Sequence, residues 1–326
     1  MATQVDSMFR ARLGARREKL EQALEAAPDR AYLAGLIGEV DAALARLDQG
    51  SFGLCETCND PIEEERLIAD PLIRFCLDHL TPIQQQALQQ DLELAAGIQS
   101  ALLPKPLRQH HGWNAAYHYE AAGPVSGDYC DLVAGDHGNF YFMLGDVSGK
   151  GVAASMLMAH LHAVFRTLIG VRLPLGRMVE QASRVFCEST LASQFATLIC
   201  GKASPEGSVE ICNAGHLPPL VVSGTTIRTL NTSGLPLGMF CSEEFPVEQF
   251  RLSRGDQLIL FTDGIPETRD PAGRELGTQA LIELAAQSPG LSLDDRLRSF
   301  VDRAASCRGR APLEDDISML VVERTG

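Results

Sequence analysis

Apolar side chains follow two different spacings along this 326-residue chain, and the texture changes near Trp113. Before that point Leu33, Leu36, Ile37, Val40, Leu44 and Leu47 recur three and four residues apart, which places them on one face of an α-helix. Residues 5 to about 48 read as helical, rich in Ala, Leu, Glu and Arg, with a break at Ala27-Pro28-Asp29. The expected element is a short helical hairpin that ends at Gln49-Gly50-Ser51. Residues 82 to 103 read as a further helix, stopped by Pro104 and Pro106. There Leu88, Leu92, Ala95, Gln99 and Leu102 step by four, three, four, three, a short coiled-coil seam. Such a seam pairs with a second chain or packs on its own domain; a homodimer through residues 82–103 is the expectation.

After Trp113 short apolar runs of β character (FYFML, FATLIC, VEIC, PLVVS, TIRTL, QLILF, ISMLVV) alternate with Gly, Pro and Asn turns. Helical stretches interrupt them at about 152–169, 176–192 and 278–305. Turns such as Ser204-Pro205-Glu206-Gly207 favour antiparallel pairing, so the fold class is α+β, helices on antiparallel sheets.

Composition narrows the function. A net charge of −14 argues against broad nucleic-acid binding, which depends on neutralising phosphates. The basic cluster Arg10, Arg12, Arg16, Arg17 and Lys19 reads as a solvated helix face. The opening MATQVDSMFRARLG lacks the apolar core of a signal peptide, and no apolar run of spanning length is visible, so no membrane is expected. Nine cysteines, an odd number, then imply a reducing cytoplasm without disulfides.

Cysteines that stand close together need another explanation. Cys55, Cys58, Cys76 and His79 form C-x2-C-x17-C-x2-H, two pairs able to present four N/S ligands to one structural Zn²⁺ with no position left for water. With the preceding LARLDQGSFG and the internal NDPI, residues 36 to 81 resemble the zinc finger of the DksA/TraR family of bacterial transcription regulators. The chain departs from that pattern in having His79 as fourth ligand. Its upstream residues also leave no room for the long coiled coil that carries such regulators into RNA polymerase. A borrowed sensing or scaffolding module is therefore expected.

The stretch FMLGDVSGKGVAA, residues 142 to 154, invites a phosphate-loop reading and refuses it. Gly145 stands one residue too close to Gly149, and Gly151 occupies the place of the hydroxyl residue that would hold magnesium. The acids are the better lead. Asp146 follows FYFML, Asp263 follows LILF, Asp128 lies in VSGDYCD, and Asp315 and Asp316 open the last strand. Such carboxylates suit hard cations, although any single one is equally an ordinary turn aspartate.

GDYCD, GDVSGKG, FATLI, NAGHLPP, GLPLG, LILFTDGIPE and DDISMLVV occur in this order over residues 126 to 323. Together they resemble the PPM family, the metal-dependent serine/threonine phosphatases related to protein phosphatase 2C, in its bacterial SpoIIE/RsbU branch. LAAGIQSALLPKP is similar to the linker helix of that branch. The resemblance implies a β-sandwich flanked by helices, with two Mn²⁺ or Mg²⁺ ions at one end. Carried over by position, Asp128, Asp146, Asp263 and Asp315 are the catalytic set, joined as metal ligands by the Val147 carbonyl and by Asp316. Ser126 and Pro266 depart from the family's usual Gly and Thr without removing a carboxylate.

The activity implied is hydrolysis of a phosphoserine or phosphothreonine ester, the substrate a phosphorylated STAS-domain anti-sigma-factor antagonist, the outcome release of a sigma factor. No Cys-x5-Arg nucleophile motif is present. His216 reads as a residue that orders its turn, His110 and His111 as a solvated linker, and His160 and His162 carry no role. The expected organisation is a hairpin at 1–50, a zinc finger at 51–81, a linker helix at 82–106 and a phosphatase domain at 107–326. Two rivals remain: a DksA/TraR-like regulator with an inactive phosphatase-like binding domain, and a nucleic-acid-binding zinc protein. Mn²⁺-dependent phosphoester cleavage separates the first, and a salt-sensitive gel shift the second.

Overall fold

Two helices open the chain, α1 (Ala2–Ala26) and α2 (Arg30–Gln49), in a computed structural model that describes residues 2–26, 30–80, 82–191, 193–231 and 234–326. The expected break at Ala27-Pro28-Asp29 lies outside the described residues. Ion pairs join Arg10 to Asp48 and Arg17 to Asp41, so the two helices run antiparallel. Their facing sides bury Phe9, Leu13, Val40, Ala43 and Leu47 against Cys55, Ile62, Leu67 and Cys76 of the following loops and the short α3 (Glu64–Ala69). These elements belong to one structural unit, Met1–Gln90, and the remainder, Asp91–Gly326, to a second.

α4 (Pro82–Leu102) is one continuous helix. Within the second unit its seam faces inward: Gln99 is buried and Leu102 packs on the core, while Leu94 and Ile98 are exposed on another face. For that half of the helix, packing on its own domain is the observed outcome.

The second unit is a four-layer sandwich. One sheet has the order β1-β2-β11-β10-β7-β8, from Leu107–His110, Trp113–Glu120, Ile317–Arg324, Gln257–Phe261, Leu220–Ser223 and Thr226–Thr229. The other has β3-β4-β5-β6-β9, from Tyr129–Ala134, Phe140–Val147, Ala196–Ala203, Ser208–Ala214 and Val247–Arg251. Every named strand pair is antiparallel. α5 (Gly151–Val171) and α6 (Leu175–Ser189) cover the second sheet; α7 (Gly277–Gln287) and α8 (Leu293–Arg308) cover the first.

The continuous apolar run of β4 follows from this layering, because both faces of the strand are covered. Phe140, Phe142 and Leu144 enter the core between the sheets, and Tyr141, Met143 and Val147 enter the core under α5 and α6. Gly201, opposite Phe142 in the register, has no room for a side chain because the Phe142 ring lies where its Cβ would be. β10 divides in the same way, with Leu258 and Leu260 between the sheets and Ile259 and Phe261 under α7 and α8.

Several expectations need correction. The stretch 278–305 is two helices, broken at residues 288–292. His110 is not in a solvated linker: it is half-buried in β1, edge-on to the Phe140 ring at 6.1 Å. α5 is long and apolar enough to cross a membrane by length and composition, yet Ala154, Met158, Leu161 and Phe165 are buried in the protein core. Cys187 and Cys241 form a disulfide, with Cα atoms 5.4 Å apart, where none was expected. That expectation rested on compartment alone; the packing of residues 234–241 on α6 brings the two thiols together.

Candidate active site

Register gathers the acids. Tyr129 pairs with Gly145, so Asp128, just before β3, comes beside Asp146 near the end of β4. Phe261 pairs with Met319, so Asp263, just after β10, comes beside Asp315 and Asp316, just before β11. Asp146, the Val147 backbone, Asp263 and Asp315 then line one cavity of about 370 Å³, together with Ser148, Gly149, Lys150, Phe195, Thr197, His216 and Glu267.

The sequence-predicted acids do not stand equivalently. Asp128 is only 2% exposed and takes a hydrogen bond from the Thr262 hydroxyl at 3.0 Å. It does not itself line the cavity but adjoins Asp146, which does. Asp316 is turned to backbone: one oxygen accepts from the Ala122 amide at 2.8 Å and the other from the Gly127 amide at 3.0 Å. It fixes the loop that delivers Asp128. The Lys150 ammonium donates to Asp315 at 3.0 Å and to the Glu314 carbonyl at 2.9 Å.

Crowded acids in a poorly hydrated place resist ionisation. Burial, then the charges of Asp263, Asp315 and Asp316, push Asp146 up to about 7. Burial and the Asp146 charge hold Asp128 well above the ordinary carboxylate range, and burial with Asp315 raises Asp263. Lys150 shifts upward in answer, chiefly through its bond to Asp315. Several acids and one ammonium leave the site short of positive charge. The donors are hard oxygens, as Mg²⁺ and Mn²⁺ require, and a divalent cation bound there would supply what is missing. Two glycines keep the approach open. A Cβ at Gly127 would lie 3.1 Å from the Val147 carbonyl oxygen and 3.4 Å from Asp146 Oδ1, and one at Gly264 would lie 2.0 Å from the Asp316 carbonyl.

His216 is structural in this setting. Burial lowers it to about 4, its Nε2 faces the Phe261 carbonyl at 3.1 Å, and its Nδ1 meets the Thr197 hydroxyl at 2.8 Å. A carbonyl only accepts, so Nε2 carries the proton. Sequence reasoning assigned no site role to Lys150, Glu267 or Phe195. Lys150 was visible close to Asp146, but its contact with Asp315 depends on the packing of one sheet on the other, which brings the end of β4 to the start of β11.

A second side-chain link reaches this region. The Gln99 amide donates to the Ser126 carbonyl at 2.7 Å and accepts from the Ser126 amide at 3.0 Å, all of it buried. α4 therefore grips the backbone two residues before Asp128.

In the first unit the ligand atoms of Cys55, Cys58, Cys76 and His79 all lie within 4.8 Å of one another. Cys58 and Cys76 sulfurs are 3.8 Å apart, and Cys76 Sγ is 3.2 Å from His79 Nδ1. A sulfur pair on a tetrahedron with bonds of about 2.3 Å has an edge of about 3.8 Å, so the donors fit zinc. Burial of Cys55 is outweighed by the amides of Cys76, Cys58 and Thr57, and its thiol falls to about 6.

The family pattern described as Stage II sporulation protein E (SpoIIE) matches residues 136–325, and that of the prokaryotic dksA/traR C4-type zinc finger matches residues 50–78, one residue short of His79. The chain is 26% identical to the phosphoserine phosphatase RsbU of Bacillus subtilis over 245 residues, 74% of this chain and 72% of RsbU. Among solved structures it is similar to the RsbU and RsbW domains of a Mycobacterium tuberculosis protein, at 29% identity and TM-score 0.55 over 66% of this chain and 60% of that one. It also shares the fold of the SiaA-PP2C domain of Pseudomonas aeruginosa, at 18% identity and TM-score 0.65 over 73% of this chain and 98% of that one.

Proposed function

Because the chain belongs to the SpoIIE family, it is a protein serine/threonine phosphatase, and we propose that two Mn²⁺ or Mg²⁺ ions serve it at the cavity between β4 and β10. Asp128, Asp146, Asp263, Asp315 and the Val147 carbonyl hold them in this reading, and Asp316 acts through the loop it ties down. The cations supply positive charge to the phosphoryl oxygens and a lowered water pKa. The chain's own residues do the rest. Lys150, a lining residue of the cavity, meets the phosphoryl group in this reading, and buried Thr262 orients Asp128. The strand ends hold the acids fixed before substrate arrives, so orientation is built in.

The substrate in this reading is the phosphoserine or phosphothreonine of a STAS-domain anti-sigma-factor antagonist, in a cytoplasmic partner-switching pathway. The boundaries 1–50, 51–81, 82–106 and 107–326 separate hairpin, one-zinc finger, linker and enzyme. The zinc module regulates through α4, and the double Gln99–Ser126 bond supports that route. The exposed Leu94 and Ile98 give the linker a face for a second copy.

The observation that carries the reading is the convergence of Asp146, Asp263 and Asp315 on one cavity, where burial and neighbouring charge raise the proton affinity of Asp146 and Asp263. Its test is hydrolysis of p-nitrophenyl phosphate with and without Mn²⁺. Asp146→Asn and Asp263→Asn are expected to lose at least a hundredfold in kcat/KM; activity that persists in both, or without metal, overturns it.

A further inference from the structure

Nine described residues of the second unit expose large apolar side chains, and six of them, Val152, Met156, Leu191, Leu235, Met239 and Phe240, sit on three short segments around the cavity. The first segment is the start of α5. It follows directly from Ser148-Gly149-Lys150 of the cavity wall, and Val152 and Met156 stand one turn apart on its outer face. Met156 lies six residues beyond Lys150, about 9 Å along the helix axis.

The second segment comprises Thr190, Leu191 and residues 193–195. Ser148 and Phe195, both cavity residues, exchange two hydrogen bonds of 2.9 and 3.0 Å, and Leu191 stands just before Phe195 with 70% of its surface exposed. The end of α6 meets α5 where Ser189 Oγ lies 3.5 Å from His160 Nε2, one turn past Met156. The third is residues 234–241. A Cβ on Gly238 would lie 3.3 Å from the Gln194 carbonyl and 2.7 Å from the Phe186 ring, and the Cys187–Cys241 disulfide ties the segment to α6. The three therefore form one apolar rim.

Such a rim on a water-exposed surface marks a contact site. We propose that it docks the folded phosphoprotein substrate, with Met156 and Phe240 as anchors; the inference rests on the phosphatase reading above. Reach selects this occupant. A phosphoserine side chain extends only a few ångströms from its backbone, so a protein whose phosphoserine enters the cavity must lie against residues one helical turn away. A flexible Met and an aromatic side chain are the types that carry such contacts. A small phosphoester bypasses the rim.

The test compares p-nitrophenyl phosphate with a phosphoserine STAS-domain protein as substrates for the full chain with Mn²⁺. For Met156→Lys and, separately, Phe240→Lys, kcat/KM on the phosphoprotein is expected to fall at least tenfold, mainly through KM. On the small ester it stays within twofold, which also shows that the variants are folded. Phosphoprotein turnover within twofold of wild type in both variants overturns the proposal, as does an equal loss on both substrates. A change of oligomeric mass in the variants overturns it too, because the rim is then a self-interface. A wild-type enzyme that cleaves the small ester and leaves the phosphoprotein intact instead refutes the substrate assignment on which the rim proposal rests.

Discussion

Asp146 is an acid that its surroundings make reluctant to ionise, and the consequence is measurable without any assay of turnover. Its folded value of about 7 stands above the ordinary 3.8. Between those values the unfolded chain has lost this proton and the folded, metal-free chain still holds it. The folded state binds more protons, so this group's contribution to stability falls as pH rises from about 4 to about 7 and is level above. Asp128 and Asp263 shift in the same direction and add to the effect. Asparagine at position 146 cannot ionise. In thermal melts of protein freed of Mn²⁺ and Mg²⁺, Asp146→Asn is expected to gain on wild type by several degrees between pH 5 and pH 7.5. Added Mn²⁺ is expected to stabilise wild type more at pH 7.5 than at pH 5.5. A difference between the two proteins that shrinks with rising pH contradicts the electrostatic account.

At the scale of elements, the sandwich converts acids distant in sequence into neighbours through two registers, Tyr129 with Gly145 and Phe261 with Met319. Each aspartate was visible in the sequence as a residue at a strand end. Which of them meet depends on register and sheet order, and neither is a local property. The same distinction explains what else could be read. Strands covered on both sides, such as FYFML and QLILF, announce themselves by unbroken apolar runs. β1 and β9 carry mostly exposed or half-buried side chains, and β2 mixes polar with apolar ones, so no such run marks them. The Cys187–Cys241 disulfide and the inward turn of Gln99 are products of tertiary packing, invisible in a heptad count. Gln99 gives this scale its prediction. Alanine there removes both hydrogen bonds to Ser126 and leaves a buried amide and carbonyl unpaired, a loss of about 1–3 kcal/mol for each group. The loop that carries Asp128 then loses its tie to α4. Mn²⁺ titrations of Gln99→Ala by calorimetry are expected to show at least fivefold weaker binding, with far-UV circular dichroism unchanged. Equal affinity rules out this helix as a route to the metal site.

For the whole molecule, the two units rely on different means of stabilisation. Among the described residues, Asp91–Gly326 has three apolar cores, on and between its sheets, whereas Met1–Gln90 has a single small one in which Cys55 and Cys76 are themselves buried members. Metal ligands that are also core residues couple binding to folding, and structural zinc contributes about 10–16 kcal/mol in small domains of this kind. The ligands also perturb one another: Cys55 falls to about 6, while at Cys58 the Asp60 amide is outweighed by burial and by bonds to the Asp60 side chain, Cys55 and Cys76, and the thiol rises to about 12. A strong zinc-selective chelator is therefore expected to abolish the melting transition of the first unit. The second unit, supported by its own cores, is expected to keep its transition and its Mn²⁺-dependent hydrolysis of p-nitrophenyl phosphate. Native mass spectrometry is expected to find one zinc in wild type and in His79→Cys, which keeps four ligands, and none in Cys58→Ser. A first unit that melts unchanged after chelation, with the zinc verifiably gone, shows the hairpin to be stable by packing alone and leaves the four ligands without a structural purpose.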